Sequence, residues 1–174
     1  DDPRTVAAGG IIRIANGCEV VNGWVVGTGL PRNPLALMQV VEYCRAFLFG
    51  RLGWNPINGL LVISGAFGVF HKETVIEAGG YRRDAIGEDM ELVLRLHRML
   101  SEAGRPYRIV FAPDPVCWTE APENVATLRN QRIRWQRGLC DSLWQNRALL
   151  FSRRGDWAGW AAFPFALLFE SLSP

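Results

Sequence analysis

Two acidic residues, Glu88 and Asp89, follow Gly87 at the point where a helical pattern begins. The spacing of apolar residues predicts that this helix continues to about Ala103. Acidic side chains in a first helical turn are stabilised by the helix dipole, so the pair could simply belong to an ordinary helix start. The functional alternative is a general base, because an ionised carboxylate at a loop-to-helix junction can take the proton of a substrate hydroxyl.

A second group, Gln131, Arg134 and Trp135, lies within a helix predicted from about Glu123 to Phe151. Residues at positions i, i+3 and i+4 share one helical face, so an amide, a guanidinium and an indole lie side by side. This combination suits a sugar nucleotide, since Arg can bind a diphosphate and Trp can support a sugar ring. The alternatives are a solvated basic helix whose Trp135 packs in the core, or a nucleic-acid contact.

A third segment, rich in small residues, follows the apolar run Leu60–Ile63, which is predicted to be a buried strand. It consists of Ser64, Gly65, Ala66, Phe67 and Gly68. Its spacing matches neither a G-x-S-x-G nucleophile turn nor a phosphate-binding loop. Small residues after a strand allow a ligand to approach the backbone closely, although a tight turn would need them equally.

The composition is that of a globular domain, because 49% of the 174 residues are hydrophobic and 21% are charged. This balance excludes an intrinsically disordered chain. A formal net charge of +2 gives no electrostatic argument for a nucleic-acid partner. The 4 Cys and 2 His show no zinc-binding spacing, and the cysteines are predicted to be small buried apolar residues.

Strands alternate with helices along the chain, which predicts an α/β fold with a mainly parallel sheet flanked by helices. The predicted strands are Thr5–Ala8, Ile11–Ala15, Glu19–Val26, Leu60–Ile63 and Tyr107–Ala112, the last bounded by Pro113 and Pro115. Two further helices are predicted, one from Asn33-Pro34 to about Leu52 and one over Lys72–Ala78. The first has apolar residues at helical spacing: Leu37, Val41, Cys44 and Leu48.

In this order, the three groups resemble motifs of the membrane-bound, inverting family 2 glycosyltransferases, which include cellulose, hyaluronan and poly-N-acetylglucosamine synthases. Gly87-Glu88-Asp89 is similar to the Glu-Asp motif that supplies their catalytic base. Gln131, Arg134 and Trp135 match their Q-x-x-R-W motif. Ser64–Phe67 resembles their small-residue segment at the acceptor pocket. The resemblance covers about residues 1–150.

The resemblance implies a GT-A fold and the inverting transfer of a hexosyl group from a nucleotide sugar, UDP-linked in this family, to a glycan. Asp89 would be the general base, with Glu88 beside it at the catalytic position. Trp135 would lie under the acceptor sugar, and Gln131 and Arg134 would contact hydroxyls and the diphosphate. Ser64, Gly65, Ala66 and Phe67 would line the acceptor pocket.

The D-x-D motif, which binds metal and nucleotide in this family, does not occur in this sequence. We therefore expect residues 1–152 to be the second half of a GT-A domain that lacks its N-terminal half. The ligands of Mg²⁺ or Mn²⁺ are expected in that half, and no metal ligand is assigned here. Residues 153–174 are expected to begin a truncated membrane-associated or transmembrane segment.

The resemblance places the protein at the plasma (inner) membrane, with its catalytic domain in the cytoplasm and no nucleic-acid partner. We expect the 174-residue chain alone to be inactive. Two alternatives remain open on the sequence alone. The first is a non-processive transferase that uses a lipid or lipid-linked acceptor. The second is a non-catalytic, membrane-associated binding module.

Overall fold

The computed structural model describes residues 2–152 and 157–171. The strands are β1 Thr5–Ile14, β2 Glu19–Val21, β3 Trp24–Gly27, β4 Gly68–Phe70 and β5 Arg108–Thr119. The α-helices are α1 Pro34–Cys44, α2 Leu52–Trp54, α3 Lys72–Glu77, α4 Glu88–Glu102, α5 Val125–Gln145 and α6 Phe163–Phe165. The remaining helical segments are π-helical Arg45–Arg51, Ala158–Ala162 and Ala166–Glu170, and 3₁₀-helical Arg147–Leu149.

The central sheet has three strands in the order β4-β1-β5, with helices packed around it. The β1–β5 pair is parallel and extends from Thr5 opposite Arg108 to Ile14 opposite Thr119. The β1–β4 pair is antiparallel and much shorter. The predicted fold class, α/β with a mainly parallel sheet, is thus confirmed. Strands β2 and β3 form a separate hairpin, which turns at Asn22 and Gly23 with positive φ at both residues.

The two longest strands pass through residues that were predicted to interrupt them. The register between them shifts twice, and the larger shift follows Gly9: Gly9 pairs with Phe111, and Ile11 pairs with Val116. Residues 112–115 therefore form a bulge in β5, and both Pro113 and Pro115 belong to it. Because bulged residues need no ladder hydrogen bond, these prolines do not end the strand. The predicted break at Gly9-Gly10 is also wrong, because Gly9 pairs with Phe111 and with Gly68 and β1 continues to Ile14.

Two asparagine side chains cover the free edge of β5. The Oδ1 atom of Asn58 accepts a hydrogen bond from the Ile109 N–H at 2.8 Å, and Asn55 does the same for Phe111 at 2.8 Å. The adjoining run Leu60–Ile63, predicted to be a strand, is buried but forms no strand. Its burial explains its apolar character, while the asparagines occupy the edge that a further strand would use.

Helix α1 begins as predicted, because the Asn33 side chain accepts hydrogen bonds from the first N–H groups of the helix. The four apolar residues at helical spacing are all exposed, however: Leu37, Val41, Cys44 and Leu48. The helix instead buries Ala36 and Gln39 near the end of β1. Apolar residues lie on several faces of α1, so their spacing alone did not identify the inward one.

Helix α4 forms the centre of the core, and its predicted bounds and inward face are confirmed within one residue. Val93, Leu96 and Leu100 are at most 1% exposed. The helix ends before Gly104, whose φ of +65° suits a glycine. Its buried His97 lies 2.8 Å from the Leu60 carbonyl oxygen and 2.7 Å from the Tyr107 hydroxyl. His97 therefore fixes the segment that leads to the small-residue turn.

The cysteines differ from the prediction of buried thiols. Cys44 and Cys140 are exposed, Cys18 and Cys117 are partly buried, and all four are free. None of the four thiols is therefore fully buried.

The helical segment from residue 157 to 171 folds back onto the domain. Its small residues and one phenylalanine are buried against α4 and α5: Ala158, Ala162, Phe163 and Ala166. Among the residues described, none of the helices has both the length and the apolar character needed to cross a membrane. The predicted boundary at residue 153 lies outside the described residues.

Candidate functional site

The Asp89 carboxylate connects the start of α4 to the small-residue turn. Its Oδ2 atom accepts a hydrogen bond from the Gly65 N–H at 2.9 Å, and Oδ1 accepts one from the Met90 N–H at 2.8 Å. Each carboxylate oxygen can accept two hydrogen bonds, so each retains one free lone pair. Asp89 is half-buried and Glu88 beside it is exposed. The carboxylate is therefore held in place and can still accept a proton.

The segment Ser64–Gly68 is a tight turn that places its backbone against this carboxylate. The Phe67 N–H donates to the Ser64 carbonyl at 3.0 Å, and β4 begins directly afterwards. A Cβ atom at Gly65 would lie 3.4 Å from Asp89 Oδ2, which is ordinary contact distance. Two predicted groups, the acidic pair and the small-residue segment, are thus in direct contact.

The third predicted group, Gln131, Arg134 and Trp135, lies on α5. This helix packs against the start of α4 through a contact between two glycines. Helix α5 crosses the start of α4 where Gly138 meets Gly87, and the Ser142 hydroxyl donates to the Gly87 carbonyl at 3.4 Å. Trp135 is three residues before Gly138, or about 4.5 Å along the helix axis. The Q-x-x-R-W residues therefore lie within two turns of the crossing, although no direct contact with Asp89 is seen.

We expect Gly138→Ala to destabilise the protein. A Cβ atom at Gly138 would lie 3.0 Å from both the N and Cα atoms of Gly87, so one backbone must move. The expected cost is about 1–3 kcal/mol in the free energy of unfolding, measured by thermal or urea denaturation. The matched control is Gly53→Ala in α2, where the added methyl would meet nothing within 4 Å. A control that is destabilised as much as Gly138→Ala would contradict this explanation.

The start of α5 is held by amide side chains, one from its own N-cap and two from α1 and its cap. Asn124 caps the helix by accepting from the Thr127 N–H at 2.8 Å. Just before it, Gln39 donates to the Pro122 carbonyl at 2.8 Å, and Asn33 donates to the Glu123 carbonyl at 3.0 Å. These bonds fix the entry of α5 and hence the position of the Q-x-x-R-W residues.

Two of the three Q-x-x-R-W side chains are exposed and can meet a ligand. Trp135 is 41% exposed, so it is not a core residue. Arg134 is exposed. Gln131 is half-buried, and its Oε1 atom is buried without a hydrogen-bond partner among the described residues. A guanidinium, an indole face and an unpaired amide oxygen are together suited to a polar ligand with hydroxyl groups.

Two titratable groups interact electrostatically with Asp89. Burial lowers the pKa of the Arg51 guanidinium to about 10, and attraction to Asp89 opposes this shift. Burial also raises the pKa of the Tyr81 hydroxyl, and the negative charges of Asp89 and Glu88 raise it further. At neutral pH the surroundings of Asp89 therefore contain a cationic Arg51 and a neutral Tyr81.

A buried ion pair near the site was missed by the sequence reasoning. Glu91, which is 1% exposed, binds Arg95 with a shortest distance of 2.8 Å. Arg95 also donates to the carbonyls of Ala78 and Gly80, and so ties α4 to the loop that precedes the acidic pair. Glu91 and Arg95 are four residues apart on one helix. This spacing is the sequence signal that could have identified the pair.

A groove of about 520 Å³ lies beside the site. It is lined mainly by apolar residues, together with Arg45, Arg51 and Glu170. Asp89 and Trp135 are not among the residues that line it. Within residues 2–152 and 157–171, no three His, Cys, Asp or Glu side chains lie close enough together to hold a metal ion. The described residues therefore form no metal centre by themselves.

Two enzymes of the same name are similar in sequence to this chain. The chain is 31% identical over 119 residues to poly-beta-1,6-N-acetyl-D-glucosamine synthase of Staphylococcus aureus (strain COL). It is 29% identical over 119 residues to the enzyme of the same name from Staphylococcus epidermidis. Each match covers 67% of this chain and 27% of the relative, so the chain spans about a quarter of the length of these relatives.

A solved structure shares the fold. It is a mannosyltransferase, PcManGT, from Pyrobaculum calidifontis, in complex with GDP-Man and Mn²⁺. The TM-score is 0.52 at 18% sequence identity, and the match covers 83% of this chain and 31% of that one.

The family description "Glycosyl transferase family group 2" matches residues 19–174, which is most of the chain. This match confirms the resemblance inferred from the motifs. The chain belongs to glycosyltransferase family 2.

Proposed function

We propose that the full-length protein containing this chain transfers a sugar from a UDP-linked donor to a glycan acceptor with inversion at the anomeric carbon. The observation that carries the proposal is the hydrogen bond of 2.9 Å from the Gly65 N–H to Asp89 Oδ2. It places a carboxylate with free lone pairs against the turn that the family resemblance assigns to the acceptor.

In the proposed step, Asp89 accepts the proton of an acceptor hydroxyl while that oxygen attacks the anomeric carbon of the donor. The bond from this carbon to the diphosphate oxygen breaks, and the nucleoside diphosphate leaves with the bonding electrons. Attack from the side opposite the leaving group inverts the configuration. The backbone N–H groups of Gly65 and Met90 hold the carboxylate in one orientation during the transfer.

The remaining predicted residues are proposed to bind substrate. Trp135 offers an exposed indole face to the acceptor sugar, and Arg134 offers an exposed guanidinium to the diphosphate. Gln131 is proposed to contact a sugar hydroxyl after its side chain turns outward, since its Oε1 atom is buried without a partner in this conformation. Glu88 is proposed as the second acidic residue of the site. The backbone of Ser64, Gly65, Ala66 and Phe67 is proposed to border the acceptor.

A divalent cation, Mg²⁺ or Mn²⁺, is proposed to neutralise the donor diphosphate, held by residues outside those described. We also propose that the protein works at the plasma membrane, with the catalytic domain on the cytoplasmic side. The helical segment near residue 160 supports membrane association, because it exposes large apolar side chains. These are Trp157, Trp160, Leu168 and Phe169.

The proposal is tested with the purified full-length protein and radiolabelled UDP-N-acetylglucosamine, UDP-glucose and GDP-mannose, each with Mg²⁺ or Mn²⁺. We expect transfer of label from a UDP-sugar into a product larger than the donor, with release of UDP. Product length on a gel separates polymer synthesis from a single transfer to a lipid acceptor. Binding of donor without any transfer would contradict the proposed activity.

Trp135→Ala is expected to weaken use of the acceptor about tenfold, measured as the acceptor KM, while the thermal melt changes little. The physical reason is that the exposed indole is proposed to contact the acceptor sugar and contributes little to core packing. The matched control is Trp144→Ala on the same helix, where Trp144 is 69% exposed and also lies against an arginine, Arg147. A large melting shift with a proportionate loss of activity would show that Trp135 is structural.

A further inference from the structure

An ion pair joins α1 to the Q-x-x-R-W helix. Both terminal nitrogens of the Arg132 guanidinium donate to the Glu42 carboxylate, at 2.6 Å and 2.7 Å. The two residues are far apart in sequence, and each side chain is only partly exposed, 32% for Arg132 and 41% for Glu42. The two parallel bonds define the plane and position of the guanidinium, which a single contact would not do.

The same guanidinium lies against the candidate acceptor platform. The Cζ atom of Arg132 is 4.6 Å from the centre of the Trp135 ring, within the range of a cation–π interaction. The two residues are three positions apart on α5, so they are neighbours on the helix surface. Arg132 thus supports the indole, and Glu42 holds Arg132 in place.

We propose that Glu42 and Arg132 are positioning residues that fix the orientation of the Trp135 ring for the acceptor sugar. This inference rests on the proposed function, in which Trp135 binds the acceptor. A platform held in its binding orientation loses less conformational freedom when the sugar binds. Neither residue belongs to the fixed positions of the motif, since Arg132 occupies a variable place within it.

An exposed ion pair by itself contributes little to folding stability. Removing the Glu42–Arg132 pair should therefore affect the orientation of the Trp135 ring more than the free energy of unfolding. In the full-length protein, Glu42→Gln is expected to raise the acceptor KM about three- to tenfold, with kcat and donor KM nearly unchanged. The acceptor used is an oligosaccharide of β-1,6-linked N-acetylglucosamine, with UDP-N-acetylglucosamine as donor.

The matched control is Glu77→Gln. It removes the Glu77–Arg105 ion pair of 2.7 Å, which is similarly exposed and lies beyond the far end of α4. We expect unchanged kinetics for this control. An equal rise of the acceptor KM in both variants, or no rise in Glu42→Gln, would overturn the inference.

A double variant distinguishes an effect on the orientation of the Trp135 ring from an effect on the packing of α5 against α1. Glu42→Arg combined with Arg132→Glu restores an ion pair but places a carboxylate, not a cation, beside the indole. We expect the thermal melt to match that of the wild type and the acceptor KM to be raised as in Glu42→Gln. Recovery of the acceptor KM as well would show that the pair only attaches α5 to α1.

A measurement independent of turnover is ¹⁹F NMR of the full-length protein labelled with 5-fluorotryptophan. The Trp135 signal is assigned by its loss in Trp135→Phe. We expect it to shift or broaden in Glu42→Gln but not in Glu77→Gln, and an unchanged signal would overturn the inference. If the wild-type protein transfers no sugar while this signal does respond, the proposed function fails and the positioning contact stands.

Discussion

Replacing Asp89 with asparagine in the full-length protein is expected to lower sugar transfer about 10²- to 10⁴-fold, the usual effect of removing a general base. Nucleotide-sugar binding should change little, because the donor is bound by other groups. Turnover of labelled UDP-sugar at saturating donor, together with donor binding by calorimetry, measures both quantities. A variant that keeps more than about a third of wild-type turnover would show that Asp89 is not the base.

Asparagine is an imperfect replacement at this position, for a structural reason. Both carboxylate oxygens of Asp89 accept from backbone N–H groups, those of Gly65 and Met90. The amide has only one oxygen, so one hydrogen bond is lost at a cost of about 0.5–1.5 kcal/mol. A thermal melting curve of the variant measures this loss of stability separately from the loss of activity. Glu73→Gln, which removes an acid from the first turn of α3, is the control and should retain activity.

Replacing Arg95 with methionine is expected to cost about 3–5 kcal/mol in the free energy of unfolding. The change leaves the Glu91 carboxylate buried without its cation, and it removes the donor to the Ala78 and Gly80 carbonyls. Urea denaturation of the full-length protein measures the loss. The exposed-pair control, Arg105→Met, should cost no more than about 1 kcal/mol, because its partner Glu77 stays solvated.

The double variant Glu91→Leu with Arg95→Met tests whether the unpaired charge is the cause. Removing both charges leaves no buried ion, so the double variant should be more stable than Arg95→Met alone. A double variant as unstable as the single one would assign the loss to the carbonyl contacts of Arg95 instead.

The sequence determined the local features that depend on neighbouring residues. The start of α4 at the acidic pair, the Asn33 cap and the stop at Gly104 all rest on interactions within a few residues of the chain. The three groups of candidate site residues were also recognisable, because each is a short motif with a fixed spacing. Their roles in catalysis and binding stay predictions.

Tertiary structure decided which of these residues meet. The Gly65–Asp89 hydrogen bond and the Gly87–Gly138 contact join segments more than twenty residues apart, and no local pattern specifies such pairs. The same holds for the α1 face, where packing against the end of β1 selected Ala36 and Gln39 rather than the apolar stripe. It also holds for β5, which continues past its prolines because the bulge frees them from the ladder.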